Sequence, residues 1–352
     1  MATMQTVVLA KRPGWGPIIA GETLAVKAAP MPKEEELTDG QVIVKNLYLS
    51  LDPAMRGWLN DVRSYTAPLA VGEVMRGVMI GVVTASKSKS FPTGTHVEAQ
   101  IGWREYGVVS DTTPGFARVD VPDGARLTDV LGVLGMTGLT AYFGMTEIAA
   151  VKPGDFVVVS GAAGATGSVA GQIAKLKGAR VLGLAGSDDK VKWLKELGFD
   201  DALNYKDKDF VAKFKAATPN LIDVFFDNVG GETLELAISR ANSFSRFVMC
   251  GAISQYNTDK PVGPKNITML IAMRIKMQGF IVLDYASQFT AARTQLATWL
   301  RDGSLQRRET IIRGAGLAAG PQALIDLYQG VNTGKLLLEV APEDVRVKET
   351  KI

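Results

Sequence analysis

Val157-Val158-Val159-Ser160-Gly161-Ala162-Ala163-Gly164-Ala165-Thr166-Gly167-Ser168 changes character twice within one short stretch. A β-branched apolar run breaks into a loop of small residues, and Ser168–Lys177 then reads as a helix. Small residues let a backbone approach a phosphate closely, and a helix start offers free N–H groups and a positive dipole end. A second apolar run, Arg180–Ala185, follows at once. Strand, small-residue loop, helix and strand together make a dinucleotide cradle, whereas the loop alone would fit any tight turn.

Working outward, strands and helices alternate from Asp155 onward: strand 156–160, helix 168–177, strand 180–185, helix 189–197, strand 221–227 and strand 246–250. This alternation predicts an α/β fold with a doubly wound parallel sheet of Rossmann type. Residues 129–144 read as helical segments joined by a glycine-rich bend. The first third is β-rich, with strands expected at 41–50 and 78–84 and a solvated polar loop at 85–90. Near the C-terminus Leu336–Val340 is an extended apolar run expected to return to the first domain.

The chain has 352 residues, 47% hydrophobic and 21% charged, which suits an ordinary globular protein with room for two domains. Its formal net charge of +3, carried by scattered basic residues, does not suggest a nucleic-acid surface. No apolar run reaches the roughly 18–20 residues that span a bilayer. The N-terminal charges follow the apolar stretch, the reverse of a secretory signal, and Glu349-Thr350-Lys351-Ile352 matches no retention signal. A cytoplasmic enzyme without membrane or nucleic-acid partners is the expectation.

The cofactor type is read at the end of the second strand. A site for NAD usually places Asp or Glu there to bind the ribose 2′-OH. This chain has Gly186-Ser187-Asp188-Asp189-Lys190 instead. Gly186 removes the carboxylate that repels a 2′-phosphate, Ser187 can donate to that phosphate, and Lys190 can supply charge. The plainer reading is that Ser187 or Asp188 caps a helix and Lys190 is solvated. Both can hold together, and NADPH is the expected cofactor. Further on, Asn228 and Gly251 sit where strands end in polar or small residues, the usual position of ligands in open α/β sheets. Asn228 serves equally well as a turn residue before Gly230 and Gly231.

One cysteine, Cys250, and one histidine, His96, cannot build a four-ligand structural zinc site and make a catalytic one unpromising, so no metal is expected. His96, in an apparent turn, reads as structural. Without a Lewis acid, reducing a carbonyl needs another strong acid, whereas reducing a conjugated C=C is less demanding. Charge then moves to an enolate oxygen that a hydroxyl donor can stabilise. Tyr256, just after Gly251-Ala252-Ile253-Ser254-Gln255, is the candidate donor, and its plainer role is packing with a solvated hydroxyl. Trp58, Trp103 and Tyr106 are candidate aromatic walls that serve equally as packing.

These residues also carry a resemblance over nearly the whole chain. Tyr48–Gly57, Gly135–Gly144, Gly161–Gly167, Gly186–Lys190, Asn204–Lys206, Phe226–Gly231 and Cys250–Ser254 together resemble zinc-independent medium-chain dehydrogenase/reductases. The branch is that of prostaglandin reductases, plant double-bond reductases and curcumin reductases. The resemblance implies a Rossmann domain (129–304) inserted in a β-rich, GroES-like substrate domain (1–128 and 305–352), and a homodimer. It implies NADPH held by Gly164, Ala165, Thr166, Gly167, Lys190, Tyr205, Asn228, the run Cys250, Gly251, Ala252, Ile253, Ser254 and Tyr256, the wall Phe280, Ile281 and Val282, and Asn332. Lys190 and Tyr205 would serve the 2′-phosphate end, Tyr256 and Asn332 the nicotinamide end. Tyr48 and Tyr65 match substrate-cleft positions, and Phe280 and Val282 would border the same pocket. Ala54 and Thr137 depart from the family pattern and would reshape that cleft. The activity implied is NADPH-dependent reduction of α,β-unsaturated ketones or aldehydes. A quinone reductase and a dedicated biosynthetic reductase are the alternatives.

Overall fold

The computed structural model describes residues 2–343. Met1, the C-terminal tetrapeptide read above and the end of the second substrate-domain segment lie outside the described residues. Three sheets organise the described residues. A two-stranded sheet of β1 (Thr3–Leu9) and β2 (Leu24–Pro30) precedes the first of two large sheets, which begins with β3 (Gln41–Ser50), β4 (Met79–Ser86), β5 (His96–Ala99), β6 (Tyr106–Ser110) and β7 (Ala117–Arg118). β1 and β2 pair with each other, while β3 pairs with β4 along one edge and with β6 along the other. The N-terminal part thus supplies the β-rich unit that short runs and turn residues predict.

The parallel sheet follows. Its strands are β8 (Phe156–Val159), β9 (Arg180–Ala185), β10 (Asp201–Asn204), β11 (Ile222–Asp227), β12 (Ala241–Met249) and β13 (Lys276–Gly279). They lie in the order β10-β9-β8-β11-β12-β13, all parallel. That is the doubly wound order, with its switch point where the chain leaves β8. β8 is buried along its whole length, as its unbroken valine run requires between two helical layers. The intervening helices are α1 (Met136–Phe143), α2 (Ala165–Leu176), α3 (Asp188–Glu196), α4 (Phe210–Ala217), α5 (Gly231–Ser239), α6 (Met269–Met273), α7 (Phe289–Arg301) and α8 (Gly320–Gln329). The glycine-rich bend before α1 lies between a 3-10 turn at Leu127–Leu131 and α1, and α1 runs on into a π turn at Gly144–Ile148.

Two starts differ from the sequence reading by three residues or more, and β4 runs on through Ser86, into the stretch 85–90 expected as a solvated loop. α2 begins at Ala165, three residues early, because the small residues of the loop are themselves its first turn, with Gly164 as N-cap. β12 begins at Ala241 rather than Arg246, and its pairing with β11 shifts register around Phe244, which has φ of 63°. That irregularity hides the strand from a pattern of alternation.

The last two strands, β14 (Glu309–Ile312) and β15 (Lys335–Glu339), return to the first sheet, giving the order β14-β15-β3-β4-β5-β7. β15 pairs antiparallel with β3, Leu337 opposite Ser50 and Glu339 opposite Tyr48. The run at 336–340 therefore behaves as expected. Just before it, the Gly334 N–H donates to the Ala163 carbonyl at 2.8 Å, so one sheet begins against the small-residue loop of the other.

Candidate functional site

The carboxyl ends of β8, β9, β11 and β12 meet in one groove. At the end of β8, Gly161 has φ of 58°, a left-handed conformation that favours glycine. A Cβ on Gly167 would lie 2.4 Å from the Gly161 carbonyl oxygen and 2.8 Å from Ala162 Cα. The loop and the first turn of α2 are therefore packed backbone to backbone, leaving no room for a side chain between them. No side chain caps α2, whose N-terminal N–H groups remain available to an anion.

At the end of β9, Ser187 is the N-cap of α3 and its hydroxyl accepts from the Lys190 N–H at 3.4 Å. The capping role weighed from the sequence is thus present. A Cβ on Gly186 would fall 2.6 Å from the Tyr205 hydroxyl, so the glycine makes way for that phenol. Lys190 Nζ donates to the Gly330 carbonyl at 2.5 Å, at the C-terminus of α8. Burial, and then the nearby Lys206 charge, hold Lys190 below the ordinary lysine value. Two cations and a phenol around a bare backbone are what a phosphate ester would need, so this end of the groove fits a 2′-phosphate.

At the end of β11, Asp227 is fully buried and organises the turn. Its carboxylate accepts from the Ser160 hydroxyl (2.7 Å), the Val229 N–H (3.0 Å) and the Gly230 N–H (3.0 Å). Burial nonetheless raises its pKa, outweighing those donors. The Asn228 side chain donates to the Ser160 carbonyl at 2.7 Å, closing the floor between β8 and β11. Its amide is spent on that structural bond, as its turn reading anticipated.

Past β12, the N–H groups of Cys250 and Gly251 donate to the Asp227 carbonyl. Burial, then the Asp227 charge, pushes the Cys250 thiol up to about 12, so it stays protonated. Tyr256 folds back on its own loop, its hydroxyl accepting from the Ala252 N–H at 3.1 Å. Its pKa is raised, first by burial and then by Cys250, Tyr65 and Asp227, against the lowering effect of the Ala252 amide. The phenol is thereby kept neutral and able to donate. Ile253 and Ser254 tie this loop to the β11 turn, their N–H groups donating to the carbonyls of Asn228 and Val229.

Phe280 and Val282 are half-buried against the Rossmann core, with Ile281 between them at the start of a 3-10 turn. Phe280 stands over Gly144, where a Cβ would meet its ring at 3.1 Å. Asn332 is buried and donates to the Gly334 carbonyl at 2.7 Å, shaping the turn that touches Ala163. Among the described residues, no group of three His, Cys, Asp or Glu is placed to hold a metal ion.

The candidate aromatic positions separate. Tyr65 is exposed, and its hydroxyl accepts from Trp58 Nε1 at 3.2 Å. Trp103 does not line the cleft. It is 0% exposed in the core of the first sheet, pressed between Gly77 and Gly320, where added Cβ atoms would each come within 2.8 Å of the indole. Tyr48 is buried as well. Its ring packs against Ile80, Leu131 and Leu337, and its hydroxyl donates to Glu343 at 2.8 Å. It borders a separate depression of about 360 Å³, with Arg126, Thr128, Glu309 and Arg313. Both aromatic rings are used for packing.

Two participants went unmarked in the sequence. Lys335 is buried and donates to the Leu51 carbonyl (2.8 Å) and to Asp52 (2.6 Å), whose other oxygen accepts from Ser50. This network fixes the start of β15 under the small-residue loop. Arg56 is also buried, and Asn257, next to Tyr256, accepts from it. The stretch Asp52–Arg56 was visible as a motif, but nothing in it signals burial.

Comparison with known proteins agrees with this geometry. Residues 5–116 match the model of an N-terminal domain of oxidoreductases, and residues 165–298 that of a zinc-binding dehydrogenase domain. A putative NADP-dependent oxidoreductase of Bacillus subtilis, YfmJ, is 43% identical over 97% of this chain and 98% of its own. The chain belongs to the medium-chain dehydrogenase/reductase family. Within it, prostaglandin reductase 1 of Bos taurus is 41% identical over 86% of this chain and 90% of its own. A 2-alkenal reductase (NADP(+)-dependent) of Nicotiana tabacum is 38% identical over 86% and 88%. The crystal structure of CurA in complex with NADPH from Vibrio vulnificus superposes with a TM-score of 0.87, at 36% identity over 96% of this chain and 99% of that one. This member of the family thus falls among the prostaglandin, alkenal and curcumin reductases.

Proposed function

We propose that the protein is an NADPH-dependent reductase of the C=C bond in α,β-unsaturated ketones and aldehydes, working without a metal. The observation that carries this reading is Tyr256: a phenol kept neutral by burial, fixed by the Ala252 amide, and set at the carboxyl end of β12 beside the groove. The relatives named for alkenal and prostaglandin reduction, and an NADPH-bound neighbour of the same fold, support it. They favour a double bond over a quinone as the acceptor.

When bound, the nicotinamide supplies a hydride to the β-carbon of the substrate. The remaining work falls to the chain. Ala165, Thr166 and Gly167 offer backbone N–H groups to the pyrophosphate, and Gly164, whose own N–H donates to the Gly161 carbonyl, leaves room for its approach. Gly186, Ser187, Lys190 and Tyr205 receive the 2′-phosphate, and Asn228, Cys250, Gly251, Ala252, Ile253, Ser254 and Asn332 frame the groove toward the nicotinamide. Phe280, Ile281 and Val282 wall the ring off from water. Tyr256 donates to the enolate oxygen as charge develops there, and Tyr65 borders the substrate. Solvent supplies the α-proton.

The division into a substrate domain (1–128 and 305–352) and a cofactor domain (129–304) belongs to the same proposal, as does a cytoplasmic homodimer. β13 is an edge strand with an open side, and nearby Ile271 is 80% exposed, with Ile267 and Val262 exposed as well. An open edge beside exposed apolar side chains suits pairing with a second copy. Among the described residues no helix is long and apolar enough to cross a membrane.

The test is NADPH oxidation with a conjugated enone, followed by product identification. The saturated ketone is expected, and an allylic alcohol as sole product would overturn the proposal.

A further inference from the structure

Arg56 is buried, as Asp129, Asp227 and Lys335 are among the described charged residues. It sits in the 3-10 turn Pro53–Leu59, is 2% exposed, and makes no ion pair among the described residues. A buried charge without a counter-charge is costly and persists only where polar partners hold it. Its partners come from distant parts of the sequence. Nη2 donates to the carbonyls of Gly14 (2.7 Å) and Gly16 (2.8 Å), while Nε donates across to Asn257 Oδ1 at 2.8 Å. The Tyr328 hydroxyl donates to the Pro53 carbonyl of the same turn at 3.0 Å.

Asn257 is the residue after Tyr256. Besides the ties of Ile253 and Ser254 to the β11 turn, the phenol is flanked by two holds: the Ala252 N–H donates to its hydroxyl, and Arg56 donates to the side chain of the next residue, Asn257. Only the second hold reaches across from the β-rich unit to the Rossmann unit. A planar guanidinium with fixed donor directions suits this better than a flexible ammonium.

Resting on the reductase reading above, we propose that Arg56 and Asn257 form a latch that positions Tyr256 for the reaction, so that the two units share control of the enolate donor. The latch touches neither substrate nor cofactor. Its effect appears in kcat through Tyr256 and leaves the NADPH KM in place.

The experiment is a double-mutant cycle between Asn257→Ala and Tyr256→Phe, with an enone substrate and a thermal melt of each variant. Asn257→Ala is expected to lower kcat about tenfold, as a misplaced catalytic group does, with the NADPH KM nearly unchanged and the melting temperature lowered by a few degrees because buried Arg56 loses an acceptor. In the Tyr256→Phe background the same substitution should change kcat by less than about twofold, because the group it positions is gone. Asn257→Asp, which keeps an oxygen for Nε, should recover most of the loss, and Arg56→Lys should behave as Asn257→Ala does. Equal penalties in both backgrounds, or an Asn257→Ala enzyme with unchanged kcat, would overturn the latch. A wild-type protein inert toward enones would instead overturn the functional reading itself.

Discussion

Replacing Lys190 by methionine tests the cofactor end of the groove most sharply. Lys190 is half-buried, its Nζ already ordered by the Gly330 carbonyl, and Lys206 adds a second cation nearby. At an effective dielectric of about 20, a cation 4 Å from one phosphate charge gains about 4 kcal/mol. Partial exposure and the bond to Gly330 that the phosphate must share reduce this to about 2 kcal/mol. That corresponds to about a 30-fold rise in the NADPH KM. Methionine keeps the length of the side chain and its helix propensity, so α3 should persist. Initial rates with NADPH and with NADH would be compared at low ionic strength. The NADPH KM should rise about 30-fold while the NADH KM stays within about twofold. Equal losses for both cofactors, or no loss for NADPH, would refute placing the 2′-phosphate at Lys190.

Other outcomes follow from the same geometry. Tyr256→Phe should lower kcat about 100-fold with little change in NADPH affinity, measured by steady-state kinetics and fluorescence titration. Because burial raises the Tyr256 pKa, its phenol stays protonated through the neutral range, and in a pH–rate profile the kcat it supports should fall only at higher pH than an ordinary tyrosine would set. Trp103→Ala should cost about 3–5 kcal/mol in denaturant unfolding, yet leave the KM of the surviving folded enzyme unchanged, because the indole fills the core rather than the cleft. Gly186→Asp should abolish NADPH preference without creating a good NADH enzyme, since its Cβ meets the Tyr205 hydroxyl at 2.6 Å. Cofactor titrations of the variant would show this.

The parallel sheet and the small-residue loop were legible because each depends on neighbours in sequence. Val157–Val159 must be buried on both faces, and Gly164 with Gly167 must sit at a helix start, whatever the rest of the chain does. The aromatic side chains were not legible in that way. Trp103 is a core residue because Gly77 and Gly320, both remote in sequence, leave a slot of its size, and no local pattern encodes that. Tyr48 lies on a strand whose partner, β15, arrives near the end of the chain. Arg56 and Lys335 reverse the default for charged residues. Each is buried by carbonyls and side chains from distant segments, so a reading that places Arg and Lys in solvent passes over them. Asp227 was visible within a motif, yet its place beneath the Asn228–Gly230 turn follows from hydrogen bonds that only the folded turn displays.

The central claim is that hydride goes to the β-carbon of the double bond rather than to the carbonyl carbon. NADPH carrying deuterium at the transferring position of its nicotinamide, turned over with a conjugated enone, tests this in one NMR spectrum of the product. The account predicts deuterium on the β-carbon of a saturated ketone. Deuterium on the carbinol carbon of an allylic alcohol would contradict it.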